Sequence, residues 1–328
     1  MINILRTYNP LNIIWLVLLI IVMRLGYIIK APDHVNFIFV ESFTRSLVPV
    51  NYENLFSTPV NIFLAALLVF GQALLVNFMV NGYNLMGKPS FMPGALFIVA
   101  SSMFTPFLVL SPPLICNFLV IWMLFRLFGL YKADNSKTIA YDLGIMVAVG
   151  SLIYLPFVYM VLVVWIGLML FKPFDLRDFI ASIFGYITVF FFLAVYYYLN
   201  DKLDRFFEIW LPLGTKFPVS IHISQYSYSV LIVVLVIFIL SFFKLRQVFY
   251  KSFIHVRKSY QLLGLLFVIG GLAFYVKADF RLSHFLLCAV PASIFMAYYF
   301  LYATRRWLYE ILFLILISSI IYFQFNTF

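Results

Sequence analysis

The segment from residue 31 to residue 49, APDHVNFIFVESFTRSLVP, carries an unusual share of the groups that can do chemistry. Asp33 and Glu41 are carboxylates that can accept a proton, and the imidazole of His34 titrates near neutral pH. The guanidinium of Arg45 suits phosphate or carboxylate oxygens. Because only 10% of the chain is charged, this segment is the first candidate for a site where a proton moves beside an anion.

Further polar residues could complete such a site from two later parts of the sequence, the segment 200–226 and the start of the apolar run near 282. We expect a catalytic set and a substrate-binding set. The catalytic set is Asp33, His34 and Glu41, and the binding set is Arg45, His222, Lys277, Arg281 and His284. A simpler explanation applies to each residue by itself, because membrane proteins place charges at the interface to keep them out of the hydrocarbon.

The elements that must position these residues are membrane helices. The composition is 65% hydrophobic and the mean hydropathy is +1.06, whereas soluble domains are only about half apolar. The apolar residues come in runs of about 17–25 residues, the length that crosses a bilayer as a helix. Inside lipid the backbone polar groups must be paired internally, and the alternation of a membrane β-barrel is absent. The sequence therefore predicts an all-α polytopic membrane protein.

The apolar runs predict about eleven transmembrane helices. They lie near 11–29, 58–79, 91–110, 113–131, 139–156, 157–172, 179–199, 227–243, 261–277, 282–303 and 308–325. With the N-terminus inside, fourteen of the 22 Lys and Arg residues fall in inner segments and seven in outer segments. This bias predicts a cytoplasmic N-terminus and two longer outer loops, 30–57 and 200–226. The net charge of +10 is then explained by the basic residues that orient the protein in the membrane, rather than by nucleic-acid binding.

Several finer features follow from this layout. We divide the chain into a module, 1–226, and C-terminal helices of the same bundle, 227–328. Arg24, inside the first run, is expected to snorkel outward. The stretch 206–213 is expected to form a short interface helix over the first loop, with Trp210 at headgroup level. Buried amides are expected to make interhelical hydrogen bonds, namely those of Gln72, Asn77 and Asn117.

Familiar catalytic motifs are absent from the sequence. There is no P-loop, dinucleotide fingerprint, metalloprotease helix or serine nucleophile elbow. Cys116 and Cys288 lie inside apolar runs, which indicates neither a disulfide framework nor a zinc site. A metal site is not favoured, because the adjacent side chains of Asp33 and His34 would diverge by about 100° on a helix. We expect no cofactor.

The first loop resembles that of the GT-C-type glycosyltransferases that use lipid-linked sugars. In the aminoarabinose-transferase and protein-mannosyltransferase branches, the first span is followed by an Asp-Glu pair and an amphipathic helix that ends in Pro. PDHVNFIFVESFTRSLVPV is similar, with Asp33 at the first acidic position and His34 at the second. The stretches 141–171 and 281–300 look like spans of the same enzymes. The whole chain also resembles a family of polytopic inner-membrane proteins from the Bacteroidota that has no established activity.

The resemblance implies a GT-C-like layout and an inverting sugar transfer from a polyprenyl-phosphate donor on the outer face of a bacterial inner membrane. Asp33 would be the base, and Arg45, Lys277 or Arg281 would hold the phosphate. The expected partners are membrane lipids, the lipid-linked sugar and other envelope membrane proteins, without nucleic acid. A non-catalytic subunit or scaffold is the alternative. A transporter comes third, because carboxylates are nearly absent from mid-membrane positions and broken helices in matched halves are not evident.

Overall fold

The computed structural model describes residues 2–29, 57–132, 135–209, 225–273 and 282–326, and these ranges form helices joined by turns. The α-helices of this part are α1 Ile2–Leu5, α2 Asn12–Val22, α3 Leu25–Ile29, α4 Thr58–Gly82, α5 Met92–Ala100, α6 Pro112–Gly129, α7 Ser136–Ile153, α8 Met160–Phe171, α9 Leu176–Leu199, α10 Leu203–Glu208, α11 Gln225–Phe249, α12 Ile254–Leu272, α13 Ala289–Tyr302 and α14 Arg306–Asn326. Its 3₁₀ helices are Thr105–Phe107, Leu130–Lys132, Leu155–Tyr159 and Leu282–Cys288.

Seven helices of the described ranges are long and apolar enough to cross a bilayer. They are α4, α6, α7, α9, most of α11, the continuous segment Leu282–Tyr302 and α14. Two shorter apolar helices, Asn12–Val22 and Leu155–Phe171, accompany them. The chain is therefore a multi-pass helical protein of the membrane class. The span count of eleven and the cytoplasmic N-terminus stay predictions.

The helices run alternately between two ends of the bundle. The first end carries the N-terminus and is defined by hydrogen bonds between Arg6 and Phe300, Phe91 and Leu5, and Tyr83 and Phe125. The second end is defined by hydrogen bonds between Tyr27 and Thr105, Asn61 and Leu110, and Gln324 and Met23. The end of α3 and the start of α4 lie at this second end, as do the end of α9 and the start of α11.

Two short helices, α5 and α13, form the centre of the bundle and pack against each other. Every residue of α5 is buried, and eleven of the fourteen residues of α13 are buried. At 1.5 Å per residue, α5 spans only about 14 Å of a hydrocarbon core that is about 30 Å thick. The predicted span 91–110 is thus a half-length helix that starts at the first end, followed by irregular chain and a 3₁₀ turn.

The interruption of α5 has local causes in its sequence. The hydroxyl of Ser101 donates to the carbonyl of Ile98 at 3.1 Å, a local bond that competes with helix continuation. Pro106 disfavours helical geometry at the residue before it. In α13, Pro291 has no N–H and is tolerated only in the first turn, so the α-helix begins at Ala289 and the preceding residues are 3₁₀.

The helices α7 and α9 cross with their backbones in direct contact. A Cβ atom added at Gly144 would meet the carbonyl oxygen of Ser182, and one added at Gly185 would meet the carbonyl oxygen of Tyr141. Glycine is therefore required at both positions. On its other sides α9 is little covered: only 17% of its span residues are buried, as in α11. These two helices form the periphery of the bundle.

Candidate functional site

The halves of the two central spans that are not α-helical meet at the second end, where the 3₁₀ turn Thr105–Phe107 packs against the 3₁₀ helix Leu282–Cys288. Backbone groups in such segments have lost helical partners, and within a membrane they must find others. Side-chain amides supply them. Asn61 Oδ1 accepts from the backbone N–H of Leu110 at 2.9 Å, and Asn117 Nδ2 donates to the carbonyl of Leu286 at 3.0 Å.

The predicted interhelical role of the buried amides is confirmed for two of the three. Asn117 binds Leu286, and Gln72 Nε2 donates to the carbonyl of Leu114 at 2.6 Å. Among the described residues, none donates a hydrogen bond to the Oδ1 atoms of Asn77 and Asn117. The second end thus combines backbone that is not α-helical with a buried amide, that of Asn117, that keeps acceptor capacity, which is uncommon inside an apolar bundle.

His284 lies in this region, at the start of the span that contains α13, and is only 1% exposed. Its Nε2 is 2.8 Å from the carbonyl oxygen of Gly270, and its Nδ1 is 2.7 Å from the hydroxyl of Tyr154. A carbonyl oxygen can only accept, so Nε2 carries the hydrogen and Nδ1 accepts from the tyrosine. Both ring nitrogens of this neutral imidazole are engaged, and the side chain joins three spans. Its role in substrate binding stays a prediction.

The other residues of the predicted site lie outside the described ranges. Asp33, His34, Glu41 and Arg45 fall within 30–56, His222 within 210–224, and Lys277 and Arg281 within 274–281. Their convergence over the second end therefore stays a prediction. The expected interface helix 206–213 is described only in its first part, where α10 runs from Leu203 to Glu208, and Trp210 lies outside.

Arg24 is buried inside the bundle. The prediction that it snorkels outward is wrong, because the residue is only 3% exposed. It continues the buried face of α2, one turn beyond Ile20 and beside Met23. Arg24 itself lies in the turn between α2 and α3.

The part of the chain that the structure describes provides no hydrogen-bond acceptor for the Arg24 side chain. Among the described residues, none forms a hydrogen bond with its Nε, Nη1 or Nη2. Its sequence neighbours are held tightly: the carbonyl of Met23 accepts from Gln324 at 2.7 Å, and the hydroxyl of Tyr27 donates to the carbonyl of Thr105 at 3.4 Å. Arg24 therefore lies where α3, α14 and the irregular segment after α5 come together.

Four charged residues at the first end present a contrast, because they have partners. Arg126 and Asp142 form an ion pair, and Asp178 accepts from the hydroxyl of Ser136 at 3.0 Å. Arg6 donates to the carbonyls at the end of α13, and its guanidinium carbon lies 4.1 Å from the centre of the Tyr309 ring. These contacts tie helices together, whereas none of the three guanidinium nitrogens of Arg24 has a partner among the described residues.

An apolar groove with a volume of about 490 Å³ lies between α7, α8 and α9. Its wall includes Val158, Leu162 and Ile183, with a polar bridge in which Trp165 Nε1 donates to Ser182 Oγ at 3.1 Å. The groove lies beside the sparsely buried helix α9, and most of its lining side chains are apolar. Within the described ranges, no group of three or more His, Cys, Asp or Glu residues could hold a metal ion, and Cys116 and Cys288 are free thiols.

Comparison with known proteins identifies the family of the chain. The model of a family of unknown function, DUF6427, matches residues 32–328. No curated protein and no solved structure shows significant similarity to the chain. The chain belongs to the DUF6427 family. The match begins just before Asp33, so it includes the acidic first loop and both interrupted central spans.

Proposed function

We propose that this protein transfers a sugar from a polyprenyl-phosphate donor, in the manner of a GT-C enzyme, at the second end of its bundle. We place that end at the outer face of a bacterial inner membrane and the N-terminus in the cytoplasm. The observation that carries the proposal is the pair of central spans: the non-helical half that follows α5 meets there the 3₁₀ half that precedes α13.

The interruption supports a functional site, because non-helical backbone inside a membrane costs free energy that an uninterrupted helix would not. Non-helical backbone at membrane depth is tolerated where protein encloses it or where it lines a polar cavity, and such segments often surround substrate sites. Here the side-chain amides of Asn61 and Asn117 form hydrogen bonds to backbone groups of these segments. The acidic loop follows Ile29 at the same end, and Asp33 is the fourth residue after it.

The proposed chemistry is a single displacement at the anomeric carbon. Asp33 accepts the proton of an acceptor hydroxyl while that oxygen forms a bond to the anomeric carbon with inversion. The bond from this carbon to the phosphate oxygen breaks, and the lipid phosphate departs with the electron pair. Arg45, Lys277 and Arg281 stabilise that phosphate. The groove of about 490 Å³ between α7, α8 and α9 offers a place for the prenyl chain.

A second candidate function is that of a non-catalytic subunit. The observation in its favour is the sparse burial of α9 and α11, which leaves large apolar side chains such as Phe184, Phe192 and Phe242 exposed. His34 at the second acidic position of the motif agrees with it. Transport is the third candidate. The non-helical half of the central span after α5 favours it more than the sequence suggested, although the acidic residues of the membrane-length helices in the described ranges, Asp142, Asp178 and Glu310, lie toward the first end.

Replacing Asp33 by Asn tests the transferase directly, because the substitution keeps the shape and removes the base. In cells that carry only this variant, we expect loss of the sugar modification that depends on the wild-type gene. Asp201→Asn, an exposed acid at the end of α9, is the matched control and should leave the modification intact. An unchanged glycan profile in the Asp33→Asn strain, with equal protein level, would refute the catalytic proposal.

A further inference from the structure

Arg24 is a permanently charged group that is buried in the bundle. It is only 3% exposed, and none of its three guanidinium nitrogens has a hydrogen-bond partner among the described residues. Arginine does not lose its proton in proteins, so the charge cannot be removed by titration as it could be for lysine. Burying such a charge without a partner costs free energy. The position therefore requires an anion.

The described helices that surround Arg24 contain no such anion. The elements packed against α2 and α3 are α1, α4, α5 and α14. The first three have no Asp or Glu. The single carboxylate of α14, Glu310, precedes Gln324 by fourteen residues, or about 21 Å of helix. It is bound to Arg306 at the first end.

The neighbourhood of Arg24 favours a lipid as the source of the anion. At the second end, Ile28 and Ile29 are exposed on α3, and Tyr322 is exposed on α14. A shallow apolar groove of about 500 Å³ runs along α14 from Ile311 to Tyr322. It follows the outward side of α14, whereas Gln324 occupies the inward side near the same level. A hydrocarbon chain along α14 therefore brings its headgroup to the level of Arg24.

We propose that Arg24 binds the phosphate group of a membrane lipid at the junction of α3, α14 and the irregular segment after α5. A guanidinium presents its N–H groups as a planar fork that matches two phosphate oxygens, and such charge-assisted bonds are strong. The inference deepens the proposed function, since this phosphate would belong to the lipid donor or product, and it rests on that function only for the identity of the lipid.

Binding to purified protein tests the inference. The probes are a short-chain polyprenyl phosphate, the neutral polyprenol of the same length and inorganic phosphate. Wild-type protein should bind the polyprenyl phosphate at least about tenfold more tightly than the polyprenol, the expected gain from a charge-assisted hydrogen bond. Arg24→Gln should remove most of the preference and leave only the share of Arg45, Lys277 and Arg281, and Arg24→Lys should keep more of it. Arg205→Gln, at an exposed position on α10, is the matched control and should retain it.

The outcomes separate the sources of the anion. Strong competition by inorganic phosphate would support an Arg24 anion site that is filled from solution, and would overturn the lipid assignment. A preference that Arg24→Gln leaves undiminished would overturn the site. If Arg24 instead pairs with a carboxylate of the chain, Arg24→Gln should lower the melting temperature in lipid-free detergent. That result would also overturn the phosphate site. Our proposal predicts an unchanged or higher melting temperature there, because the substitution removes an unpaired charge.

The inference and the proposed function can fail separately. Asp33→Asn protein should lose transfer and keep its preference for the phosphorylated lipid. If Asp33→Asn leaves transfer intact while Arg24→Gln removes most of the preference, the catalytic proposal fails and the phosphate site stands. If Asp33→Asn removes transfer while Arg24→Gln binds both lipids as the wild type does, the phosphate site fails and catalysis stands.

Discussion

Substitution of Gly144 by Ala should destabilise the bundle, although alanine is normally the better helix former. An added Cβ would meet the carbonyl oxygen of Ser182 and, at 2.9 Å, the backbone nitrogen of Tyr186. These are backbone atoms that cannot rotate away, so α7 and α9 must separate. The Trp165–Ser182 bridge, at 3.1 Å, would be strained by the same movement.

The magnitude follows from two opposing terms. Glycine to alanine in a helix interior stabilises by about 1 kcal/mol, whereas overpacking a tight contact costs about 1–3 kcal/mol. Here the contact involves the backbones of both helices, so the cost should lie at the upper end. We expect a net loss of about 1–2 kcal/mol in the free energy of unfolding, or roughly 2–8 °C in apparent melting temperature.

Thermal unfolding in a single detergent measures the effect, and Gly71→Ala is the matched control. Gly71 lies within α4, and a Cβ there would lie 3.8 Å from the Phe118 ring, an ordinary contact. This variant should be as stable as the wild type or up to about 1 kcal/mol more stable. If Gly144→Ala matches Gly71→Ala in melting temperature, the close crossing of α7 and α9 is refuted.

Three further substitutions test the polar contacts. His284→Ala should lower the free energy of unfolding by about 2–4 kcal/mol, because it removes both hydrogen bonds of a buried side chain. Thermal unfolding beside Tyr154→Phe, which removes one of the two bonds and should cost less, checks this, and equal losses would contradict it. Asn117→Leu keeps the volume and should cost about 1–3 kcal/mol by leaving a buried carbonyl unpaired; a stability equal to that of the wild type would argue against the second-end network. Arg6→Ala should lower the free energy of unfolding by about 1–3 kcal/mol, because it removes two hydrogen bonds to the end of α13 and a cation–π contact. Proteolysis should then cleave the N-terminal segment faster than in the wild type, and an unchanged cleavage rate would contradict the role of Arg6 in holding that segment.

The membrane class was readable from the sequence because long apolar runs leave few alternatives to a helix. The interruption of the third apolar run could not be predicted, because hydropathy indicates burial or lipid contact and carries no information about backbone geometry. The residues 91–110 are apolar throughout apart from small hydroxyls. Ser101, Ser102 and Pro106 were the available signals, and they act only locally.

Arg24 shows a second limit of the sequence. Its run is apolar on every side, so periodicity could not tell the face that packs from the face that meets lipid. Snorkelling was the default for an arginine near a helix end, and the packing of α14 against α3 decided otherwise. In contrast, the interhelical roles of Gln72 and Asn117 were predictable, because an amide in an apolar run has few other ways to satisfy its hydrogen bonds.

The central claim is that a polyprenyl-phosphate lipid occupies the second end of the bundle. Photo-crosslinking with a polyprenyl phosphate that carries a photoreactive group beside the phosphate, followed by peptide mass spectrometry, tests it most directly. We predict crosslinks in 23–29, 101–111 and 282–288, which excess unlabelled polyprenyl phosphate suppresses and neutral polyprenol does not. Crosslinks concentrated at the first end, in 83–91 or 125–131, or equal suppression by the neutral lipid, would contradict the account.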